Sequence, residues 1–232
     1  MAKYTVHHSN SVEFMRSLEN QSVDVVFADP PYGNETEYAT YKDTRENLVK
    51  LVSEFMPEAL RIAKRVVITP GVKNIYLYPE YTWVLSWVNM TGVGSSSWGF
   101  SCWQPILVYG KDPFLSQGLG RRADTFMQRN NQVANVDHPC PKPDNVMRWI
   151  IERTSVEGET VLDPFLGSGT TGVACMQLNR NFIGIDMDSK YVKIAEKRIS
   201  QSQGQGLLFT ERLLTPRAPD VGNGAAQKGM FD

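Results

Sequence analysis

The sequence predicts an α/β fold with a parallel sheet, because strands and helices alternate along the chain in two separate runs. The run in the last third is the clearer of the two. It has the order helix, strand, helix, strand, helix, over residues 144–154, 160–162, 170–178, 182–185 and 189–199. Strands that are joined through a helix pair in parallel within one sheet. We therefore expect this part of the chain to contribute parallel strands that are covered by helices.

The first run predicts a second unit of the same kind. A short amphipathic helix is expected at residues 12–18 and a buried apolar strand at residues 23–28. A Pro-Pro pair ends this strand, because proline cannot donate a main-chain hydrogen bond. After a polar loop, apolar residues recur at helical spacing over residues 48–62, and residues 65–69 form the next strand.

The middle of the chain predicts a hairpin-like pair of strands and then a long insertion. The strands are expected at residues 83–89 and 105–109, at one edge of the sheet, and they flank Gly92, Gly94 and a run of serines. Residues 111–137 are polar and show no periodicity. A connection of this length is unusual in a compact domain unless it serves a function.

Length and composition are typical of one folded domain. The 232 residues suffice to bury a core without disulfides or metals, and 41% apolar and 21% charged residues are ordinary for a globular protein. We expect residues 1–200 to form this domain. Residues 201–232, in which Gln, Gly, Pro and Ala dominate, are expected to be an extension that is flexible from about residue 215.

The sequence shows no pattern of a targeting segment or a metal site. No run approaches the roughly 20 apolar residues that cross a bilayer, and the first residues do not resemble a signal peptide. A cytoplasmic protein is expected, in the cytoplasm of a host cell if the gene belongs to a mobile element. Neither a zinc site nor a disulfide is expected from the spacing of Cys102, Cys140, Cys175, His7, His8 and His138.

The net charge of −1 means that affinity for nucleic acid would have to come from a local cluster of basic residues. One stretch with few acids contains such residues, namely Lys111, Arg121, Arg122, Arg129, Lys142, Arg148 and Arg153. An ordinary solvated surface explains the same pattern equally well.

A glycine-rich turn at residues 163–171 is the first candidate binding site. Its sequence, Asp-Pro-Phe-Leu-Gly-Ser-Gly-Thr-Thr, lets the backbone approach a ligand and opens a predicted helix with free N–H groups. Asp186 ends the next strand, where a carboxylate accepts hydrogen bonds from ribose hydroxyls in doubly wound folds. The spacing is neither that of a P-loop nor that of a dinucleotide motif, and Asp163 would repel a pyrophosphate, which favours a zwitterionic cofactor with an ammonium group. A tight turn and a strand-end acid without a ligand are the structural alternative.

The second candidate site is Asp29-Pro30-Pro31-Tyr32, which directly follows the first predicted strand. At this position it would project a carboxylate, two carbonyl groups and an aromatic ring into the crevice where α/β folds bind ligands. These groups suit the methylation of a base's amino group. Asp29 and the Pro30 carbonyl would accept its two hydrogens, and Tyr32 would stack on a base that has been extruded from the duplex. A strand that merely ends at two prolines is the alternative.

The order of the two motifs resembles that of the β-class DNA amino-methyltransferases, which act on adenine N6 or cytosine N4. In that family the Asp-Pro-Pro-Tyr motif precedes the glycine loop, as it does here. The resemblance covers residues 1–200 in three blocks, 1–32, 104–111 and 138–199, and residues 138–143, His-Pro-Cys-Pro-Lys-Pro, look like the motif before the first cofactor helix. It implies a doubly wound, mostly parallel, seven-stranded sheet, with S-adenosylmethionine as cofactor and double-stranded DNA as substrate. It is also compatible with a homodimer.

The resemblance assigns roles to individual residues. Asp29, Pro30, Pro31 and Tyr32 would hold the target base. The residues expected to contact the cofactor are Asn10, Asp29, Lys142, Asp163, Phe165, Gly167, Ser168, Gly169, Thr170, Asp186 and Met187. Asn10 stands where the family often has an acid and can pair with an adenine edge, and Lys142 would meet the cofactor's carboxylate. Without the resemblance, Lys142 and His138 are ordinary loop residues.

Several alternatives remain open at this point. The insertion at residues 111–137, where the family carries target recognition, is short, so selectivity would be short, relaxed or supplied by a second subunit. The aspartate of the tetrapeptide resembles adenine-specific members, whereas cytosine-N4 enzymes more often have serine there, so adenine N6 is expected and cytosine N4 is the alternative. The motif order argues against a methyltransferase for RNA or a protein amide, and the intact motifs argue against a module that has lost transfer.

Overall fold

The computed structural model describes residues 2–96, 98–128 and 142–214. The strands are β1 (Tyr4–His8), β2 (Val23–Ala28), β3 (Ala63–Ile68), β4 (Trp83–Asn89), β5 (Gly94–Ser96), β6 (Gly99–Ser101), β7 (Trp103–Tyr109), β8 (Thr125–Gln128), β9 (Thr160–Asp163) and β10 (Asn181–Asp186). The helices are α1 (Ser11–Arg16), α2 (Arg45–Ile62), α3 (Asp144–Thr154), α4 (Thr170–Gln177) and α5 (Ser189–Leu214). None of the helices in the described ranges has the length and apolar character that crossing a bilayer requires.

The main sheet has eight strands within the described residues, in the order β1-β10-β9-β2-β3-β7-β4-β8. The first five of these are parallel, β7 runs antiparallel between β3 and β4, and β8 is parallel to β4. The predicted α/β fold with a mostly parallel sheet is confirmed, with eight strands instead of seven. β5 and β6 form a separate two-stranded hairpin.

The two outermost strands of the sheet, β1 and β8, are not predicted from the sequence. Among the described strands β1 pairs only with β10, and its side chains are partly exposed, so it lacks the apolar run of a strand that is buried on both faces. β8 is four residues long and lies in the segment for which the sequence predicts a loop. Because β8 pairs with the outer side of β4, the antiparallel pair of β4 and β7 forms as predicted but does not lie at the sheet edge.

Helices cover both faces of the sheet, as a doubly wound fold requires. α1 and α2 pack on one face through residues such as Met15 and Phe55, and α3, α4 and α5 pack on the other through residues such as Ile150 and Ile199. α5 continues to Leu214, well past the predicted end at residue 199. The predicted flexible tail, 215–232, lies outside the described residues.

The carboxyl ends of the parallel strands meet at one edge of the sheet, which we call the carboxyl edge. Asp29 follows β2, Thr69 follows β3, Asp163 ends β9 and Asp186 ends β10. β7 runs opposite to β3, so the beginning of β7, with Gln104, lies at the carboxyl edge as well. Both candidate sites therefore lie at this edge.

Three of the basic residues that the sequence singles out, Lys142, Lys111 and Arg153, lie at two different edges of the sheet. Lys142 lies at the carboxyl edge beside Asp29. β7 ends at the opposite edge, so Lys111 and the start of the insertion lie there, and Arg153 pairs with Asp112 at 2.7 Å. Lys142 is thus separated from Lys111 and Arg153, and Arg129 lies outside the described residues.

Gly169 offers a test of how tightly α4 packs on α5. Its φ of +80° is left-handed, and a Cβ at this position would lie 2.7 Å from the Cβ of Ala195. Gly158 has a similar φ of +83°, but a Cβ there would meet nothing within 4 Å. We expect Gly158→Ala to lower the free energy of unfolding by about 1–2 kcal/mol through backbone strain alone. Gly169→Ala should lower it by about 2–4 kcal/mol, because α5 must also shift. Urea denaturation of both variants measures the difference, and equal losses would contradict a tight contact.

Candidate active site

A cavity of about 440 Å³ opens at the carboxyl edge, where the two candidate sites meet. Its size is within the range of small-molecule sites, and its position is the one at which doubly wound folds bind ligands. Every residue that the sequence predicts for the two sites lines the cavity except Gly169, which packs under α5. The lining members are Asn10, Asp29, Pro30, Pro31, Tyr32, Lys142, Asp163, Phe165, Gly167, Ser168, Thr170, Asp186 and Met187.

The carboxylate of Asp29 is held through one of its two oxygens. Oδ1 accepts hydrogen bonds from the Thr69 hydroxyl at 2.6 Å and the Tyr32 hydroxyl at 2.8 Å. The Nζ of Lys142 lies 2.6 Å from the same oxygen, and its side chain is only 8% exposed. Because all three contacts are made to Oδ1, Oδ2 is the oxygen with which this carboxylate can accept hydrogens from a ligand.

The ring of Tyr32 is fixed by contacts at its hydroxyl, its main chain and its face. The hydroxyl accepts hydrogen bonds from Gln104 Nε2 at 2.6 Å and from Lys142 Nζ at 3.0 Å. The main-chain carbonyl of Tyr32 accepts one from Asn74 Nδ2 at 2.9 Å. Gly71 lies against the face of the ring, since a Cβ added to Gly71 would be 3.7 Å from the nearest ring atom. Because these contacts already fix the orientation of the ring, it would lose little conformational entropy when a base stacks on it.

Lys142 binds the tetrapeptide rather than the glycine loop. Its ammonium group contacts Asp29 and the Tyr32 hydroxyl. The predicted contact with a cofactor's carboxylate stays a prediction. The structure gives Lys142 a second role, that of orienting Asp29 and Tyr32.

The glycine loop is tied to the end of β10 by hydrogen bonds that main-chain N–H groups of the loop donate. Gly167 adopts a φ of +49° and its N–H donates to Oδ2 of Asp186 at 2.8 Å. Oδ1 of Asp186 accepts from the N–H of Asp188 at 2.8 Å, and the N–H of Leu166 donates to the Ile185 carbonyl at 3.0 Å. The carboxylate at this strand end is the group for which the sequence predicts hydrogen bonds with ribose hydroxyls.

Asp163 is a buried acid at the wall of the cavity. It accepts hydrogen bonds from the N–H of Phe165 at 2.9 Å and from the hydroxyl of Thr171 at 2.6 Å. Burial raises the pKa of Asp163 to about 7, and the negative charges of Asp29 and Asp186 act in the same direction. A carboxylate in this environment gains from a nearby cation, so the cavity wall favours a positively charged ligand.

Four other predicted residues line the cavity, and they differ in the contacts that their side chains already make. The side-chain oxygen of Asn10 caps α1, accepting from the N–H of Val12 at 2.9 Å and of Glu13 at 3.2 Å, which leaves its amide nitrogen as the group that can reach an adenine edge. The carbonyl and hydroxyl of Ser168 and the hydroxyl of Thr170 lie within 3.2 Å of the guanidinium of Arg198. Met187 is 45% exposed and offers an apolar surface.

Sequence reasoning misses three residues that support the site, namely Thr69, Gln104 and Arg198. Thr69 could have been found, because it is a polar residue directly after a parallel strand, which is the rule that selects Asp29. Gln104 lies at the carboxyl edge only because β7 is antiparallel. Arg198 reaches the loop from α5, 28 residues beyond Thr170, and nothing in the local sequence indicates that contact.

Parts of the predicted site fall outside the described residues, namely His138, Pro139, Cys140 and Pro141. Among the residues that the structure describes, no three His, Cys, Asp or Glu side chains are grouped as metal ligands.

Comparison with known proteins gives a family match for this chain and several relatives. The N6 and N4 family of the DNA methylases matches residues 72–197, more than half of the chain. Type II methyltransferase M.HpaI of Haemophilus parainfluenzae is 28% identical, over 82% of this chain and 72% of its own length. DNA adenine methyltransferase YhdJ of Escherichia coli is 27% identical, over 84% of this chain and 82% of its own length.

Two solved structures share the fold. M1.HpyAVI in complex with SAM has a TM-score of 0.63 and 23% identity, covering 84% of this chain and 98% of that chain. The PvuII DNA methyltransferase (cytosine-N4-specific) has a TM-score of 0.64 and 15% identity, covering 90% of this chain and 94% of that chain.

Proposed function

Since the chain belongs to the N6 and N4 family of DNA methylases, we propose that it transfers a methyl group from S-adenosylmethionine to the exocyclic N6 of adenine in double-stranded DNA. The observation that carries the proposal is the Asp29 carboxylate, which is fixed through Oδ1 and lies on the wall of the same cavity as the glycine loop. The choice of adenine is supported by the aspartate in the tetrapeptide and by the adenine activity in the name of the YhdJ relative.

The residues of the cavity fit this cofactor. Asp163 offers a buried negative charge for a cation, Asp186 offers carboxylate oxygens for ribose hydroxyls, and Phe165 and Met187 offer apolar surface for an adenine ring. Asn10 and Lys142 complete the proposed set with an amide nitrogen and an ammonium group. When bound, the cofactor supplies a methyl group on a positively charged sulfur.

Asp29 and Pro30 would prepare the acceptor nitrogen. The exocyclic amine of adenine is a poor nucleophile, because its lone pair is conjugated into the ring. Oδ2 of Asp29 and the carbonyl of Pro30 would each accept one of its hydrogens and so direct the lone pair towards the methyl group. This is orientation and electrostatic stabilisation, and neither requires a strong base.

Tyr32 would hold the base outside the duplex. An adenine must leave the stack before its N6 can enter the cavity, and a stacking surface compensates for part of the lost stacking. The hydrogen bonds from Gln104 and Lys142 keep the Tyr32 ring in place before the base arrives. Thr69 and Lys142 do the same for Asp29.

The proposal also covers the domain organisation of the chain. We propose that residues 1–200 form one catalytic domain, with residues 201–232 as an extension. The pairing of β1 with β10 supports this, because it joins the two ends of the proposed domain in one sheet. The homodimer that is compatible with the family resemblance is tested by sedimentation velocity of the full chain.

The experiment is methyl transfer from labelled S-adenosylmethionine to unmethylated double-stranded DNA, followed by digestion to nucleosides and mass spectrometry. We expect N6-methyladenine from the wild-type chain and none from a heat-inactivated control. N4-methylcytosine would overturn the choice of adenine. Methylated RNA or protein in parallel reactions, with no DNA product despite measurable cofactor binding, would overturn the DNA substrate.

A further inference from the structure

The segment that connects β4 to β7, residues 90–102, exposes large apolar side chains to water. Trp98 at the turn of the β5–β6 hairpin is 96% exposed and Phe100 is 84% exposed. At the base of the hairpin, Met90 is 72% exposed and Trp103 is 41% exposed. Apolar groups that are concentrated on an exposed element indicate an interaction surface.

The hairpin extends from the carboxyl edge, next to the proposed active site. β4 ends at this edge, β7 begins there, and the N–H of Asn89 donates to the carbonyl of Cys102 at 2.8 Å across the base of the hairpin. Two residues beyond Cys102, Gln104 of β7 contacts the Tyr32 hydroxyl at 2.6 Å. From Trp103 the chain can extend to Trp98 by about 17 Å at most. The hairpin can therefore reach DNA whose target base lies in the cavity.

We propose that the β5–β6 hairpin is a DNA wedge, in which Trp98 and Phe100 stack on the bases that border the space left by the extruded adenine. The proposal rests on the proposed function, because only an enzyme that extrudes a base leaves such a space. Flat aromatic side chains stack on any base, and apolar side chains that enter between base pairs are a common means of holding a duplex open.

The composition of the hairpin favours DNA as the partner. Residues 90–102 contain no charged side chain, so no acid in the segment repels phosphates. The hairpin lies at the carboxyl edge, which DNA must approach to place a base in the cavity, and β8 brings the described part of the insertion at 111–137 to the same edge. A second copy of the chain is a poorer partner. Two aromatic side chains bury about 400 Å² together, roughly half of what each partner contributes to a stable interface.

The test compares the double variant Trp98→Ala/Phe100→Ala with wild type on long unmethylated duplex DNA made by amplification. We expect kcat/KM for methylation to fall about 10-fold to 100-fold, which is the range for loss of aromatic stacking. The Kd for S-adenosylmethionine should stay unchanged, because neither residue lines the cavity. The conservative variant Trp98→Phe/Phe100→Tyr should keep wild-type activity within about threefold, since it retains both stacking surfaces.

The matched control is Trp83→Ala, which removes a tryptophan that is 60% exposed at the start of β4, at the opposite edge. We expect it to methylate DNA at the wild-type rate. Wild-type kinetics in the double variant would overturn the wedge and leave the proposed function intact. A wild-type dimer that the double variant converts to monomer in sedimentation would overturn it by assigning the hairpin to a second copy. No DNA product from wild type would overturn the proposed function and the wedge together.

Discussion

Asp29→Asn should lower kcat by about 100-fold to 1,000-fold, which is the range for loss of a preorganised electrostatic contact. The Kd for S-adenosylmethionine should change little by comparison. The asparagine keeps the shape of the side chain and can still accept a hydrogen bond from Thr69. However, an amide has only one acceptor oxygen. Its NH2 group, which is a hydrogen-bond donor, would therefore face the adenine amino group in the place of Oδ2. Single-turnover methylation and equilibrium cofactor binding measure the two effects separately.

A loss of activity in Asp29→Asn could also arise from misfolding, because the substitution leaves Lys142 without its carboxylate at a position that is 8% exposed. We expect the free energy of unfolding to fall by about 1–3 kcal/mol. The double variant Asp29→Asn/Lys142→Met removes the unpaired charge and should recover most of that stability, but not the activity. Methylation at the wild-type rate by Asp29→Asn would exclude this carboxylate from the reaction.

The sequence predicts the positions of the candidate site residues well where each residue is marked by its immediate neighbours. Asp29 is identified by the strand before it and the prolines after it, and Asp163 and Asp186 by the strands that they end. Each position depends on a few adjacent residues, and the parallel topology then brings the three acids to one edge without further information.

The parts that the sequence does not predict depend on contacts between distant segments. Lys142 and Tyr32 are 110 positions apart and Gln104 and Tyr32 are 72 apart, so no local pattern could pair them. The same is true of β1, which becomes a strand because β10 offers it hydrogen-bonding partners. The basic residues show the same limit, since Lys111 and Lys142 belong to one stretch of sequence but the antiparallel direction of β7 places Lys111 at the edge opposite Lys142.

Asp163→Asn should raise thermal stability at pH 8 while weakening the binding of S-adenosylmethionine. The folded-state pKa of about 7 lies above the ordinary value of 3.8. Between these values the folded state binds more protons than the unfolded state, so the stability that the neutral acid contributes is lost as the pH rises through 7. Asparagine is neutral at every pH and escapes this loss. It can also keep both hydrogen bonds, by accepting from the N–H of Phe165 and donating to the hydroxyl of Thr171, which rotates.

Cofactor binding by the wild-type chain should depend on the same proton. A positively charged ligand needs the ionised form of Asp163, so its affinity should fall by up to about tenfold per pH unit below 7 and level off above it. In Asp163→Asn the affinity should be about 10-fold to 100-fold lower at pH 8 and should lose this dependence, because a neutral amide does not attract the cation. Glu19→Gln, which removes an exposed acid that does not line the cavity, is the matched control for the loss of one negative charge. Calorimetric titrations between pH 5.5 and 8.5, roughly the interval that brackets this pKa, measure both variants. An unchanged pH profile in Asp163→Asn would show that the cofactor's positive charge lies elsewhere in the cavity, and a lower melting temperature at pH 8 would show that the buried carboxylate stabilises the fold in its ionised form.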